Sequence, residues 1–334
     1  MTYATAHHLH AQAPLITPTL RDFGGGIYGI DSGYFRNEFD AVHLIVEQGR
    51  VAVVDTSTNY TVPRVLESIK ALGLGPEHVD WILLSHVHLD HAGGAGLLAQ
   101  HCPNAKVTVH PRGKRHMMDP SKLFVAVCEV YGTEMAQREY GTLVPIAEER
   151  IVETPEGAQV SLAGRIIEFW DSPGHARHHV YIRDVRTNSF FTGDTFGISY
   201  RDFDTAKGAY CFVTSSPSQF SPDEFKSSVR RLIAAKPQFV YLTHYAQLGD
   251  VLRHGEFLLR QIDEYVDIAL RHKDKGSARA KDIRKDLQAV MLRDLRAHGV
   301  TLTDAQCLDV LDLDLKLNSD GLVCWLDTLD RHGA

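Results

Sequence analysis

The stretch Trp81-Ile82-Leu83-Leu84-Ser85-His86-Val87-His88-Leu89-Asp90-His91-Ala92-Gly93-Gly94 limits what this chain can fold into more than any other. An apolar run of strand length stops in three imidazoles and a carboxylate, and two glycines then let the backbone turn toward a helical segment. A zinc-like cation prefers imidazole nitrogen and carboxylate oxygen at about 2.0–2.2 Å. His86 and His88, at alternate positions, can point to one side of an extended strand end, while Asp90 and His91 reach a second position. The chain carries 19 histidines, most of which must be ordinary. Four ligand-type residues separated only by Val87 and Leu89 are nevertheless hard to bury without a cation, because unpaired polar groups would result. The stretch therefore reads as a metal site.

The His-x-His-x-Asp-His run resembles the signature of the metallo-β-lactamase superfamily, which includes glyoxalase II. Ser172-Pro173-Gly174-His175, Phe191-Thr192-Gly193-Asp194-Thr195 and Tyr241-Leu242-Thr243-His244 fall in the order and rough spacing of that family's remaining ligands, so the resemblance covers residues 20 to 250 or so. It implies an α/β fold: a four-layer αββα sandwich, here with a helical C-terminal extension. It also implies that His86, His88 and His175 hold one metal and Asp90, His91 and His244 the other, with Asp194 bridging. Asp90 and Asp194 are then the catalytic carboxylates. The cofactors expected are two divalent ions, zinc first, with manganese and iron as alternatives. In this family an acidic residue at the position of Asp55 supports the site from behind, and a histidine at that of His179 adds similar support. His178 replaces the glycine usual in the glyoxalase-like branch. A cysteine that often completes the second site of true β-lactamases is matched here by Asp194, which argues against antibiotic hydrolysis.

Composition is that of a soluble globular enzyme, with 44% hydrophobic and 23% charged residues, and the formal charge of −7 gives no general attraction to nucleic acid or anionic membrane. Neither nucleic acid nor membrane is an expected partner; a small-molecule substrate is. No segment has the length of a membrane span, and residues 1 to 19 lack the basic start and apolar core of a signal peptide. The five scattered cysteines, with no Cys-x-x-Cys pair, suit a reducing, cytoplasmic compartment.

Three regions are expected: a flexible lead-in over 1–20, containing His7, His8 and His10; a catalytic domain over 21–248; and a mainly helical extension over 249–334. Gly24-Gly25-Gly26 reads as a turn, and Gln48-Gly49-Arg50 as a hairpin between the runs Ala41–Glu47 and Val51–Asp55. Pro63–Leu72 has helical spacing that stops at Gly73. Pro111–Tyr140 is mostly helical, with a basic start at Arg112, Lys114 and Arg115 that reads as a solvated face before it reads as a rim for an anionic substrate. Val160–Leu162, Ile166–Trp170, Val180–Ile182 and Ser189–Phe191 form an antiparallel set, and Phe239–Thr243 a further strand. Ser221-Pro222-Asp223-Glu224 has the arrangement of a capping box with proline at the first helical position. Helices are expected over Val251–Lys273 and Lys281–His298. Leu311, Leu313, Leu315 and Leu317 alternate as in a strand, and Gly321–Leu329 is helical. The tail either packs over the mouth of the site or forms a homodimer surface.

Two cations a few ångströms apart share a hydroxide, because coordination brings the pKa of water to about 7. The leading expectation is hydrolysis of an ester, thioester or lactone. Phe191–Thr195 resembles the glyoxalase II motif, which favours thioesters, although the C-terminal part has no matching glutathione-binding signature. Lactonases of the superfamily have tyrosine three residues after the bridging aspartate; here that position is Gly197, with Tyr200 nearby. Tyr200 and Tyr245, with Phe196 and Phe203, are candidates to line the substrate pocket. Two other classes remain open: a mononuclear iron persulfide dioxygenase, and a metal-containing sensor acting through its tail.

Overall fold

A computed structural model describes residues 15–17, 19–215 and 218–332. Its first sheet has eight strands in chain order: β1 (Leu15–Thr17), β2 (Leu20–Gly24), β3 (Ile27–Asp31), β4 (Ala41–Glu47), β5 (Arg50–Val54), β6 (Val79–Leu83), β7 (Lys106–Val109) and β8 (Ile151–Glu153). Pairing is antiparallel from β1 to β5 and parallel from β5 to β8. The second sheet contains β9 (Gln159–Leu162), β10 (Arg165–Asp171), β11 (Val180–Asp184), β12 (Ser189–Gly193), β13 (Val240–Leu242) and β14 (Ala246–Leu248). Only its β12–β13 pair is parallel. The β4–β5 hairpin turns at Gln48 and Gly49, both with positive φ, which matches the right-handed twist of the flanking strands.

The helices are α1 (Val62–Ala71), α2 (Leu89–Ala92), α3 (Ala95–His101), α4 (Lys114–Met118), α5 (Ser121–Tyr131), α6 (Thr133–Tyr140), α7 (Pro222–Ala234), α8 (Val251–Arg271), α9 (Arg279–His298), α10 (Asp304–Val310) and α11 (Asp312–His332). Strand alternation sorts the apolar residues into separate layers. In β5, Val51 and Val53 pack with Val65 and Ile69 of α1 and Leu98 of α3, whereas Ala52 and Val54 face Ile167, Phe169 and Phe191 of the other sheet. On the far side, Phe190, Val240 and Leu242 meet Phe225 and Val229 of α7. The result is a helix–sheet–sheet–helix sandwich. Leu258, Ile262 and Tyr265 of α8, Leu287 and Met291 of α9 and Leu315 and Leu322 of α11 belong to that same outer core, so the C-terminal helices extend the fourth layer.

Three local expectations are corrected. Residues 311–317 form no strand; from Asp312 onward they are part of α11. Leu311 and Leu315, and Asp314 and Asn318, are buried pairs four apart, so the helical period buries what the alternation sorts onto a strand face. Ser221 does precede α7, with Pro222 at its first position, but its side chain makes no capping bond. The lead-in over 1–20, including His7, His8 and His10, lies mostly outside the described residues, and its last part is structured, since β1 pairs with β2.

Candidate metal centre

Every predicted ligand lies just beyond the end of a strand. Residues 84–88 leave β6, and Asp90 and His91 sit on α2. His175 lies in the β10–β11 connection, Asp194 directly follows β12, and His244 follows β13. Parallel pairing of β5 with β6 and of β12 with β13 sends these chain ends in common directions, so the sheets hold the loops rigidly. The double glycine after the motif answers a close approach: a Cβ on Gly93 would lie 2.3 Å from the Leu89 carbonyl oxygen, and one on Gly94 2.7 Å from that of Thr58. With no side chains there, the β5–α1 loop closes on the motif, and the Thr56 N–H donates to the His91 carbonyl at 2.7 Å.

The side chains converge. His88 Nδ1 is 2.9 Å from His86 Nε2 and 3.0 Å from His175 Nε2. Asp194 spans the space between this trio and the next: its Oδ2 is 3.4 Å from His175 Nε2, and its Oδ1 is 3.2 Å from His91 Nε2 and 3.8 Å from His244 Nε2. Asp90 Oδ2 lies 3.5 Å from His244 Nε2. Three groups have donor atoms within 4.8 Å of one another: His86, His88 and His175; His86, His91 and Asp194; and Asp90, His91 and His244. The structure thus brings together all seven predicted ligands. None of the five cysteines is among them.

The electrostatics suit cations. Burial holds His86 well below the ordinary imidazole range, His88 at about 3 and His175 at about 4, so this trio presents neutral nitrogen lone pairs to one point. Burial also pushes His91 and His244 down, but carboxylates overcome it: Asp194 and Asp90 raise His91 well above its usual value, and Asp90 and Asp194, with Asp40, raise His244 to about 9. Where a carboxylate–imidazole cluster attracts protons this strongly, a divalent cation can displace them. His91 Nε2 and Asp194 Oδ1 are buried and face each other at 3.2 Å, and neither makes a well-formed hydrogen bond to any described residue. The donor set therefore fits divalent metal.

Supporting groups fix which nitrogen of three of the rings faces inward. His244 Nδ1 donates to the Phe39 carbonyl at 2.8 Å, which leaves Nε2 toward the carboxylates. His91 Nδ1 bonds Asp55 Oδ2 at 2.9 Å, and His86 Nδ1 meets Ser85 Oγ at 3.1 Å. His179 Nδ1 bonds Ser172 Oγ at 2.7 Å while its Nε2 accepts the Asp194 N–H at 3.1 Å, so this ring positions the backbone of Asp194. The sequence motifs contain Ser85, Ser172 and Thr243, whose hydroxyl donates to Asp55 Oδ2 at 3.0 Å, without marking them as supports, and neither the Phe39 carbonyl nor Asp40 falls in any of them. Asp40 is fully buried, and burial lifts its carboxyl to about 7 against the pull of His244.

Tyr200 and Tyr245 are buried, as are Phe196 and Phe203. Tyr200 stacks on Phe39 and donates its hydroxyl to Asp314 Oδ1 of α11 at 3.1 Å, so the tail reaches the layer directly behind the site. Burial raises the Asp314 carboxyl from 3.8 to about 7, opposed by His244, the Tyr200 hydroxyl and Arg36. The folded state thus binds this proton more tightly than the unfolded chain, and stability falls as pH rises from about 4 to 7. Asp314→Asn should remove that slope. Urea unfolding is expected to place the variant level with wild type near pH 4 and ahead of it at pH 8, by up to about 4 kcal/mol. Parallel pH profiles would contradict this.

No helix among the described residues is long and apolar enough to cross a membrane. The family model described as the metallo-beta-lactamase superfamily matches residues 39–244. The metallo-beta-lactamase fold-containing protein ST1585 of Sulfurisphaera tokodaii is 26% identical over 224 residues, 66% of this chain and 79% of that protein. Its crystal structure aligns with a TM-score of 0.57 over 81% of this chain and 98% of that one, at 23% identity. The metallo-beta-lactamase family protein TTHA1429 of Thermus thermophilus aligns at TM-score 0.62 and 18% identity, covering 92% of this chain and 95% of that one. The chemotaxis sensor ODP, in a structure of its peroxy diiron species, aligns at 0.52 and 19% identity over 72% of this chain and 93% of its own. From Phe39, whose carbonyl orients His244, to His244 itself, the matched segment encloses the whole ligand cluster, and the chain belongs to the metallo-beta-lactamase superfamily.

Proposed function

We propose that this protein is a metal-dependent hydrolase that cleaves an ester, thioester or lactone bond of a small molecule, using two divalent cations, zinc first among them. The observation that carries the reading is the position of Asp194, with one carboxylate oxygen toward His175 and the other toward His91 and His244. On this reading His86, His88 and His175 hold one cation, Asp90, His91 and His244 the other, and Asp194 serves both. Bound divalent cations would supply acidified water and a polarised carbonyl. The chain's own part is orientation and proton handling. Phe39, Asp55 and Ser85 orient His244, His91 and His86; His179 holds the backbone of Asp194. The Asp90 side chain is 28% exposed, against 7% for Asp194, so Asp90 is the carboxylate of the two with the greater access to an incoming water. Gly193 leaves room for the His179 ring beside Asp194: a Cβ there would lie 2.5 Å from His179 Nε2.

Elemental analysis of the purified chain, paired with an ester, thioester and lactone panel, tests this. About two equivalents of zinc or manganese per chain are expected, with hydrolysis that a chelator removes and added metal restores. A single iron with oxygen-dependent turnover of a persulfide and no hydrolysis would replace the reading by a dioxygenase. A second reading, a metal-containing sensor, draws on the fold likeness to ODP. A redox-active di-iron centre with no turnover of the panel would favour it.

A further inference from the structure

A cleft of about 520 Å³ opens on the flank of the ligand cluster, and four cationic side chains, Arg112, Lys114, Arg115 and Arg177, border it together with His178, which burial keeps neutral. It abuts the site. The His178 ring lies 5.8 Å from that of His88 and 6.2 Å from that of His86. Gly113, at the head of the basic segment, packs so closely that a Cβ there would lie 2.8 Å from Val87, the residue between those two ligands. His88 and Asp90 are the partly exposed members of the ligand set, so a molecule seated at the metals emerges beside them.

The cleft's charge is not balanced from within. Lys114 is paired with Glu148 at 2.9 Å and Glu153 at 3.0 Å, and the nearby Asp171 faces His110 at 3.5 Å. Among the described residues, Arg112, Arg115 and Arg177 have no carboxylate within 4.0 Å. Arg112 donates to the Arg177 carbonyl at 3.0 Å, which ties the two basic loops together across the cleft. Three guanidinium groups around one concavity, in a chain of net charge −7, form a local positive potential that mutual repulsion opposes and a bound anion would relieve.

We propose that this cleft is the subsite for an anionic group, phosphate or carboxylate, on the substrate whose scissile bond lies at the metal centre. The inference rests on the hydrolase reading above and names its substrate class: an anionic ester or thioester, which takes up one water and releases a carboxylic acid and an alcohol or thiol, one of the two bearing the anion.

The test uses the metal-replete full chain and three esters of one acyl group, whose alcohol parts end in phosphate, carboxylate or methyl. In low salt, kcat/KM for at least one anionic ester is expected to exceed that for the methyl-ended ester by about tenfold, through KM, and the preference to shrink as salt rises. Which anion wins identifies the group. In the Arg115→Ala, Arg177→Ala double variant the preference should fall toward unity, with partial recovery for lysine at both positions. Inorganic pyrophosphate, titrated by calorimetry, gives a readout that needs no turnover: binding should weaken about tenfold in the double variant. Hydrolysis of all three esters at equal kcat/KM, or a preference unchanged by the variants, overturns the subsite and leaves the hydrolase reading standing. No hydrolysis of these esters or of the thioester and lactone panel, with arginine-dependent pyrophosphate binding, overturns the hydrolase reading and keeps the anion cleft. Pyrophosphate affinity equal in both proteins, or absent, overturns the cleft in either case.

Discussion

Asp194→Ala should lose turnover by at least ~10³-fold and lose bound metal, while melting close to metal-free wild type, and His88→Ala should do the same. The magnitude follows from what Asp194 touches. Among the described residues its two oxygens are the only carboxylate oxygens within 4.0 Å of both His175 and His91, so its removal separates the two halves of the donor set. It also supplies much of the field that raises His91 and His244. The fold should survive because Asp194 belongs to none of the three apolar cores, and the imidazoles it leaves behind can give up their protons and stay buried as neutral rings. Metal per chain, kcat/KM and a melting curve on the same preparation check this. Full activity in either variant would end the binuclear reading; loss of folding would mean that these residues hold the sandwich together.

The ligands were legible because the chain concentrates them. His86, His88, Asp90 and His91 share six positions after an apolar run, and His175, Asp194 and His244 each follow a strand-like segment. The supporting atoms left no comparable trace. A backbone carbonyl such as that of Phe39 carries no sequence signal, and Ser85, Ser172 and Thr243 are of types that occur throughout loops. Asp40 lies outside every motif, and only its burial and the nearness of His244 mark it out. β8 and β14, three residues each, are too short to display a period, and they are defined by the strands they pair with. In the tail, leucines alternating with aspartates satisfied a strand pattern, and only the outer core around Leu315 and Leu322 decided for a helix. The basic segment at Arg112 is the reverse case. Its residues were visible, but the concavity they share with Arg177 is made by two loops far apart in sequence.

Asp55→Ala should behave differently from Asp194→Ala, costing stability as well as metal. Asp55 follows β5 with a left-handed backbone, φ +52°, and its carboxylate turns into the protein. Oδ1 accepts the Ser85 N–H at 2.8 Å; Oδ2 accepts Ser85 Oγ at 2.8 Å, Thr243 Oγ1 at 3.0 Å and His91 Nδ1 at 2.9 Å. One side chain thus ties the end of β5 to the motif loop of its own sheet and to the end of β13 in the other. Alanine would leave four buried donors without their acceptor, a loss of about 3–5 kcal/mol. His91 would lose the bond that sets its tautomer and ring angle, and metal affinity should fall about 10–100-fold. Asparagine keeps one acceptor oxygen but turns an NH2 toward donors, so Asp55→Asn should lie between wild type and alanine in both respects. Urea unfolding of the metal-free proteins isolates the first effect, and competitive metal titration the second. If metal-free Asp55→Ala unfolds within about 1 kcal/mol of wild type, the four bonds do not hold the two sheet edges together, and the rigidity of the site must come from the strands alone.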